Sequence, residues 1–216
     1  MRQYVATSHA AFGYDARRQA KCDEMKWIMK SFFAQQLLVT LVLIGSTMSG
    51  PRAMADENLI DDFRSSSVSQ WRYFADTVMG GVSSGQASYS SQDGGYAKLS
   101  GLVSTANNGG FIQIRKKLAS APPKGTTGIR LVARGNSQRY FVHLRTRGTV
   151  LPWQYYQAGF DVKDGWREFR LPLSAFQRSG RPLAKNPSAP SLRSVAIVAF
   201  GRDHSADVQI KEIGFY

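Results

Sequence analysis

The chain has 216 residues, with 28 Lys or Arg against 15 Asp or Glu, and a formal net charge of +13. Its single cysteine, Cys22, excludes a disulfide framework within the chain. So positive a charge suggests acidic partners: anionic lipid headgroups, acidic cell-wall polymers or an acidic protein surface. The basic residues are dispersed, and Arg115–Lys117 is their only run of three. We therefore do not expect nucleic-acid binding.

Residues 1–55 have the layout of a secretory signal peptide. Lysines precede an apolar run from Phe32 to Ile44, and an Ala53-Met54-Ala55 cleavage pattern follows. The apolar run is shorter than the roughly 20 residues of a membrane span. We predict Sec-type export to the periplasm with cleavage after Ala55. A membrane anchor at residues 32–46 and a mitochondrial presequence are the alternatives.

The remaining segment, residues 56–216, is predicted to form one domain. Residues 1–55 hold seven basic and three acidic side chains, so this segment keeps a net charge of +9. It has no cysteine, and its length is sufficient to bury one core without covalent cross-links.

Apolar and polar residues alternate with period two along this segment, which is typical of half-buried antiparallel strands. Turn residues separate the predicted strands, as in Asn107-Asn108-Gly109-Gly110. The predicted strands are Tyr96–Leu102, Phe111–Arg115, Gly128–Arg134, Arg139–Arg145, Trp166–Leu171, Val195–Phe200 and Val208–Ile213.

Two of these strands indicate how the sheets are buried. Ile129, Leu131 and Ala133 fall on one face of their strand, with arginines on the other. Val195–Phe200 is apolar throughout, which favours a central strand covered on both faces. Short strands joined by glycine-rich turns, with no long helix between them, predict an all-β fold, an antiparallel β-sandwich or jelly roll.

The stretch Asp76-Thr77-Val78-Met79-Gly80-Gly81-Val82-Ser83-Ser84-Gly85, called the marker loop below, is the most unusual in the sequence. Adjacent glycines indicate a tight turn or the close approach of another group. We expect Asp76 to accept backbone N–H bonds and stabilise the turn, with Val78 and Met79 anchored in the core. The alternative is that the loop lines a binding surface.

The marker loop carries a resemblance to a known family. It resembles the complex I intermediate-associated protein 30 (CIA30) family, together with Trp71, Gly110-Phe111, Tyr155–Phe160, Gly165-Trp166 and Leu171-Pro172-Leu173 with Phe176. The resemblance extends over about Asn58 to Tyr216 and implies a galactose-binding-like jelly roll.

The resemblance also implies a class of function. The mitochondrial members are chaperone-like assembly factors that hold membrane-arm intermediates of respiratory complex I on the matrix side. An exported chain would lie on the opposite side of its membrane. We expect a protein partner, either a respiratory-complex intermediate or an envelope protein. Membrane association is expected only as a peripheral contact or through an uncleaved signal.

Few residues of the segment could support catalysis. His143 lies within a strand and is expected to be a hydrogen-bonded structural residue, whereas His204 lies in a polar turn and is expected to be solvated. Ser83 and Ser84 have no base supplied by the sequence. There is no nucleophile elbow and no metal-ligand spacing. We predict a non-enzymatic protein without cofactor or metal.

Aromatic residues supply the remaining candidates for a binding site. Trp and Tyr combine a flat apolar face with a polar edge, which suits sugar stacking or a protein interface. Trp71, Trp153, Tyr155 and Tyr156 join Asp76 as candidate binding residues, although Trp71 is also a candidate core residue. Trp166 is expected in the core. The alternative function is therefore a carbohydrate-binding module for an envelope or extracellular glycan.

Overall fold

The computed structural model describes residues 58–64 and 70–216. The predicted signal peptide, its cleavage after Ala55 and the alternative anchor at residues 32–46 lie outside these residues. All described residues belong to one unit, which spans residues 55–216.

Within the described ranges the regular structure is twelve strands and short 3-10 turns. The strands are β1 (Leu59–Asp61), β2 (Trp71–Ala75), β3 (Ser84–Ser90), β4 (Tyr96–Val103), β5 (Phe111–Lys117), β6 (Gly128–Gly135), β7 (Arg139–Thr146), β8 (Tyr156–Asp161), β9 (Arg167–Pro172), β10 (Gln177–Arg178), β11 (Leu192–Phe200) and β12 (His204–Phe215).

The strands form two antiparallel six-stranded sheets. The first sheet has the order β3-β4-β12-β6-β9, with β1 paired to the end of β12. The second sheet has the order β10-β8-β7-β11-β5-β2. This arrangement confirms the predicted all-β sandwich.

The core lies between the inner faces of the two sheets. Ile129, Leu131 and Ala133 are completely buried, while Arg130 and Arg134 on the other face of β6 are half-buried. This confirms the predicted alternation. Burying such side chains supplies the main driving force for folding, at about 25 cal/mol per Å² of apolar surface.

Strand β11 is the central strand predicted from its apolar run, because it lies between β7 and β5. Val195, Ile197 and Ala199 belong to the core cluster. Ala196 and Val198 point to the outer face and are also buried. Large side chains of the neighbouring strands cover both residues, so this part of the outer face of the second sheet is shielded from solvent.

Five of the strands are not predicted by the alternation of apolar and polar residues: β1, β2, β3, β8 and β10. Strand β3, with the sequence SGQASYS, is an edge strand in which no residue is buried, so it carries no apolar alternation. Strands β1 and β10 have three and two residues, too few for a periodic pattern. Pairing with neighbours, rather than local sequence, defines these strands.

One buried ion pair joins the two sheets. Lys116 of β5 places its Nζ 2.7 Å from Oδ2 of Asp61 in β1. The indole Nε1 of Trp71 donates to the same oxygen at 2.8 Å, and the backbone N–H of Phe63 donates to Oδ1 at 2.9 Å. The pair therefore connects β1 of the first sheet to β2 and β5 of the second.

The sandwich has two ends, and each carries one of the two loops with exposed apolar side chains. One end of the sandwich, called the marker end, is where β2 ends and β5 and β12 begin. The marker loop follows β2 and therefore lies at this end. At the other, called the far end, β5 and β7 finish and β11 begins. The loop joining β7 to β8 is at the far end.

Candidate functional site

The marker loop begins with a short 3-10 turn, Asp76–Met79, directly after β2. Gly80 ends the turn with φ of 89°, in the left-handed region that glycine adopts without strain. A Cβ on Gly81 would lie 2.3 Å from Cγ of Asp76. The two glycines thus have different roles: the first reverses the chain, and the second lets the backbone pack on a carboxylate.

The Asp76 side chain is completely buried and accepts four hydrogen bonds. The backbone N–H of Ser83 donates to Oδ1 at 2.9 Å, and the Ser83 hydroxyl donates to Oδ2. The backbone N–H groups of Gly110 and Phe111 also donate to Oδ2. Asp76 therefore fixes both ends of the marker loop to the start of β5.

These bonds determine the charge state of the carboxyl group. Burial raises the Asp76 pKa, but donation from Gly110, Ser83 and Phe111 outweighs burial, and the net pKa is below its usual value. A carboxylate of low pKa is a poor base, so the adjacent Ser83 hydroxyl gains no activation from it. The contacts of Asp76 support the structural role expected for it.

The expectation that Val78 and Met79 anchor the loop in the core is wrong. Their side chains are 71% and 58% exposed, and Val82 is 52% exposed. The 3-10 turn buries only Asp76. Because the polar residue takes the interior position, the apolar side chains of the turn are directed to solvent. Leu102, opposite Ser84 in the β3–β4 pair, is also exposed.

The predicted aromatic residues do not form one surface. Trp71 and Tyr156 are buried in the core, where the Tyr156 hydroxyl donates to the carbonyl of Ala184 at 3.0 Å. Trp153 is 63% exposed in the β7–β8 loop. Tyr155 is half-buried on the outer face of the second sheet. The structure therefore leaves Trp153 and Tyr155 as the accessible members of the set.

Tyr155 belongs to an aromatic cluster on that outer face. Its ring stacks on His143, with centroids 4.1 Å apart and planes 7° apart. Phe200 packs edge-on against both rings. The Gln157 side chain acts on the buried His143 as a hydrogen-bonding neighbour, although His143 Nε2 and Gln157 Oε1 have no partner of good geometry among the residues described. His143 is thus a buried structural residue.

Burial lowers the pKa of His143 to about 3, and the cross-strand neighbour Gln157 opposes this shift. The imidazole is therefore neutral at physiological pH. His204 is half-buried rather than solvated: burial lowers its pKa, and its Nδ1 lies 2.8 Å from the carbonyl oxygen of Arg202. The His143 ring is stacked on Tyr155, and the His204 ring lies close enough to the Asp203 carboxylate for that charge to oppose the lowering of its pKa.

Trp166 is not in the core, contrary to expectation. It is half-buried on the outer face of the first sheet, where the guanidinium carbon of Arg134 lies 4.4 Å from its ring centroid. Lys211 and Tyr96 also contact the ring. Trp166 immediately precedes β9 and lies two residues before the exposed Glu168 and four before the exposed Arg170, so the alternation of β9 places it on the outer face, opposite to the inward Phe169 and Leu171.

Sequence reasoning missed Val82 and Leu102 as exposed apolar residues, because each looks like an ordinary core residue in the sequence. The stretch Gly148–Pro152 has the sequence of an exposed approach to a strand, and Val150 and Leu151 within it are exposed. A loop position between turn residues, as for Val150 and Leu151, is the only sequence signal of exposure.

Among residues 58–64 and 70–216, no group of three or more His, Cys, Asp or Glu side chains could hold a metal ion. In the same part of the chain, no helix has the length and apolar character needed to cross a bilayer.

Solved structures share this fold. The family 11 carbohydrate-binding module from Clostridium thermocellum in complex with a β-1,3-1,4-mixed-linked tetrasaccharide is 14% identical, with a TM-score of 0.59, and the match covers 73% of this chain and 94% of that one. The family 11 module of the cellulosomal cellulase Lic26A-Cel5E, from the same organism, has the same identity and TM-score, with 73% and 92% covered. At this identity the likeness establishes the jelly-roll fold alone.

No curated protein matches the sequence. The family model for complex I intermediate-associated protein 30 matches residues 61–210, more than half of the chain and nearly all of the described sandwich. That range includes the marker loop, the Asp76 contacts at Gly110 and the aromatic cluster. The chain belongs to the CIA30 family.

Proposed function

We propose that the protein is a non-catalytic, chaperone-like module that binds a protein partner in the cell envelope through the marker loop. The observation that carries this proposal is the outward direction of Val78, Met79 and Val82 on a loop whose backbone Asp76 holds in place. Exposed apolar side chains on a fixed backbone lose little conformational entropy on binding. Such residues are typical anchors of protein interfaces.

Family membership and charge support the same proposal. Known mitochondrial members act as assembly factors, which bind partially assembled proteins. The net charge of +9 for residues 56–216 favours a partner with an acidic surface around its apolar contact. The predicted export signal is the reason for naming an envelope protein as the partner.

Affinity capture tests the proposal. The full chain is cross-linked in native envelopes, recovered after detergent solubilisation, and compared with a Val78→Ser/Met79→Ser variant. The expected result is one reproducible protein complex with the wild-type chain and at least a tenfold lower yield with the variant, since loss of an anchor residue usually costs about 2 kcal/mol of binding.

The control is Tyr89→Ser, which removes an exposed apolar side chain of β3 outside both the marker loop and the β7–β8 loop. Its capture yield should equal that of the wild type. Recovery of nothing above background, or an equal loss with Tyr89→Ser, would contradict binding through the marker loop.

A second candidate function is glycan binding on the outer face of the second sheet. The exposed ring of Trp153 and the half-buried ring of Tyr155 favour it, because flat aromatic faces can stack against sugar rings. A coplanar row of exposed rings would favour glycan binding more strongly, but such a row is not formed by Trp153, Tyr155 and Tyr156. Binding on a glycan array that disappears in Tyr155→Ala and Trp153→Ala would support this function, and a blank array would count against it.

A further inference from the structure

We propose that the β7–β8 loop, residues 147–155, is a rigid spike that inserts into the surface of an anionic lipid bilayer. This surface lies at the far end, so it is independent of the marker loop and of the partner proposed for it. Three separate observations carry the proposal: the exposed side chains of the spike, the bonds that hold it, and the charges around it.

The tip of the spike is apolar. Val150 is 80% exposed, and Trp153 is 63% exposed. Leu151 between them is also exposed. A Trp beside aliphatic residues is suited to the lipid interface, where the indole lies among headgroups and the aliphatic groups reach the acyl chains.

The backbone of the spike is held in one conformation. The Arg145 guanidinium donates to the carbonyl oxygens of Thr149 at 3.0 Å and Leu151 at 2.9 Å, with a longer contact of 3.4 Å to Pro152. The buried Gln154 side chain accepts from the N–H of Leu151 at 3.0 Å. Carbonyl groups that already have donors inside the loop cost less to transfer towards lipid.

The loop between β10 and β11 lies beside the spike and secures its base. The Ser179 hydroxyl donates to the carbonyl oxygen of Trp153 at 3.0 Å and accepts from the N–H of Tyr155 at 3.0 Å. On the other side, the Arg147 guanidinium reaches the carbonyl of Pro190 at 3.2 Å. The exposed apolar side chains of the spike therefore project from two loops, β7–β8 and β10–β11, that are hydrogen-bonded to each other.

The charged residues of the spike and of the β10–β11 loop beside it are all basic. Residues 94–160 contain no Asp or Glu, and neither do residues 169–202. These stretches supply both loops, together with exposed Arg147, Arg178, Arg181 and Lys185. A basic surface with no acidic residue in either loop complements an anionic headgroup layer. The basic charge together with a Trp beside aliphatic side chains at the tip favours an anionic lipid surface.

A local probe tests the proposal. In the full chain, Cys22 is replaced by Ser, and Val150→Cys or Val78→Cys carries an environment-sensitive NBD label. The vesicles contain phosphatidylcholine with about 30% phosphatidylglycerol, an anionic surface like that of a bacterial membrane. We expect a blue shift and a gain in intensity for the label at position 150, and no change for the label at position 78. The label reports its own position, so another segment that binds the vesicles cannot imitate the result.

Two further variants test the contributions of the tryptophan and of the basic residues to vesicle binding separately. Trp153→Ser is expected to lower the partition coefficient by about tenfold. Arg181→Gln/Lys185→Gln is expected to lower the partition coefficient by about fivefold for each charge removed. Salt at about 0.5 M should remove this electrostatic contribution to the partition coefficient of the wild type. Circular dichroism confirms that each variant is folded.

An unchanged spectrum at position 150 on vesicles that carry the bound chain would overturn the proposal. An equal shift on pure phosphatidylcholine vesicles would overturn the selectivity for anionic lipid. If the label at position 150 stays silent on vesicles but changes when the captured protein complex is added, the spike is a protein contact instead.

Discussion

At the scale of the residue, Asp76 determines what the marker loop can do. Its carboxylate accepts bonds from Ser83, Gly110 and Phe111 in a fully buried position. Hydrogen bonds to a charged group contribute about 1.5–3 kcal/mol each to stability, more than neutral ones. The sequence predicted an N–H-accepting aspartate, but it placed Val78 and Met79 on the wrong side, because only the folded turn shows which side chain is interior.

His143 gives a prediction at the same scale. Its folded pKa is about 3, below the unfolded value of 6.5, so the unfolded state takes up the proton first as the pH falls. Stability is therefore lost between about pH 6.5 and 3, at up to about 1.4 kcal/mol per pH unit. Between pH 6.5 and 4.5 we expect the wild type to lose about 2 kcal/mol more than His143→Gln.

The measurement is urea unfolding of both proteins over that pH range. Asp76 and His204, whose pKa values are also lowered, titrate in both proteins and cancel in the difference. Parallel stability curves for the two proteins would show that His143 is accessible to protons in the folded state.

At the scale of the element, the marker loop and the β7–β8 loop have the same arrangement of charged and apolar side chains. A buried or half-buried charged group, Asp76 in one and Arg145 in the other, bonds several backbone groups of its loop. The apolar side chains of each loop are then left facing solvent. Sequence alone could not predict this, because a valine in a loop has the same sequence signal whether it is an anchor or an exposed contact.

Gly81→Ala tests how far the marker loop depends on close packing. The added methyl group would lie 2.3 Å from the Asp76 Cγ, so the loop or the carboxylate must move. We expect a loss of about 2–3 kcal/mol in the free energy of unfolding and a lower capture of the protein partner.

Gly165→Ala is the matched control, because nothing lies within 4 Å of its added methyl group. Its stability should stay within about 0.5 kcal/mol of the wild type. Equal stability of the two variants would mean that the Asp76 contacts do not constrain the loop.

At the scale of the whole molecule, the sandwich is joined across its sheets by apolar packing and by the Asp61–Lys116 pair. Removal of one partner from a buried pair leaves an uncompensated charge, which usually costs about 3–5 kcal/mol. We expect Lys116→Met to lower the free energy of unfolding by that amount, measured by urea unfolding at neutral pH.

Asp61→Leu and the double variant Asp61→Leu/Lys116→Met supply the comparison. Both leave the Trp71 Nε1 and Phe63 N–H donors without their Asp61 acceptor, which costs about 1–3 kcal/mol for each donor. The double variant should nevertheless lose less than the sum of the two single losses, because neither charge is left without the other. If the two single losses simply add in the double variant, the charges are not coupled across the sheets.

The sequence by itself determined the all-β class, the inward faces of β6 and the central position of β11, because alternation and apolar runs are local signals of burial. It also identified the CIA30 family through the marker loop. Only the tertiary structure decided that Trp71 and Tyr156 are core residues, that Tyr155 stacks on His143, and that Val78, Met79 and Trp153 face solvent. The physical reason is that exposure of a loop residue depends on contacts with distant strands, such as those of Asp76 with Gly110 and Phe111.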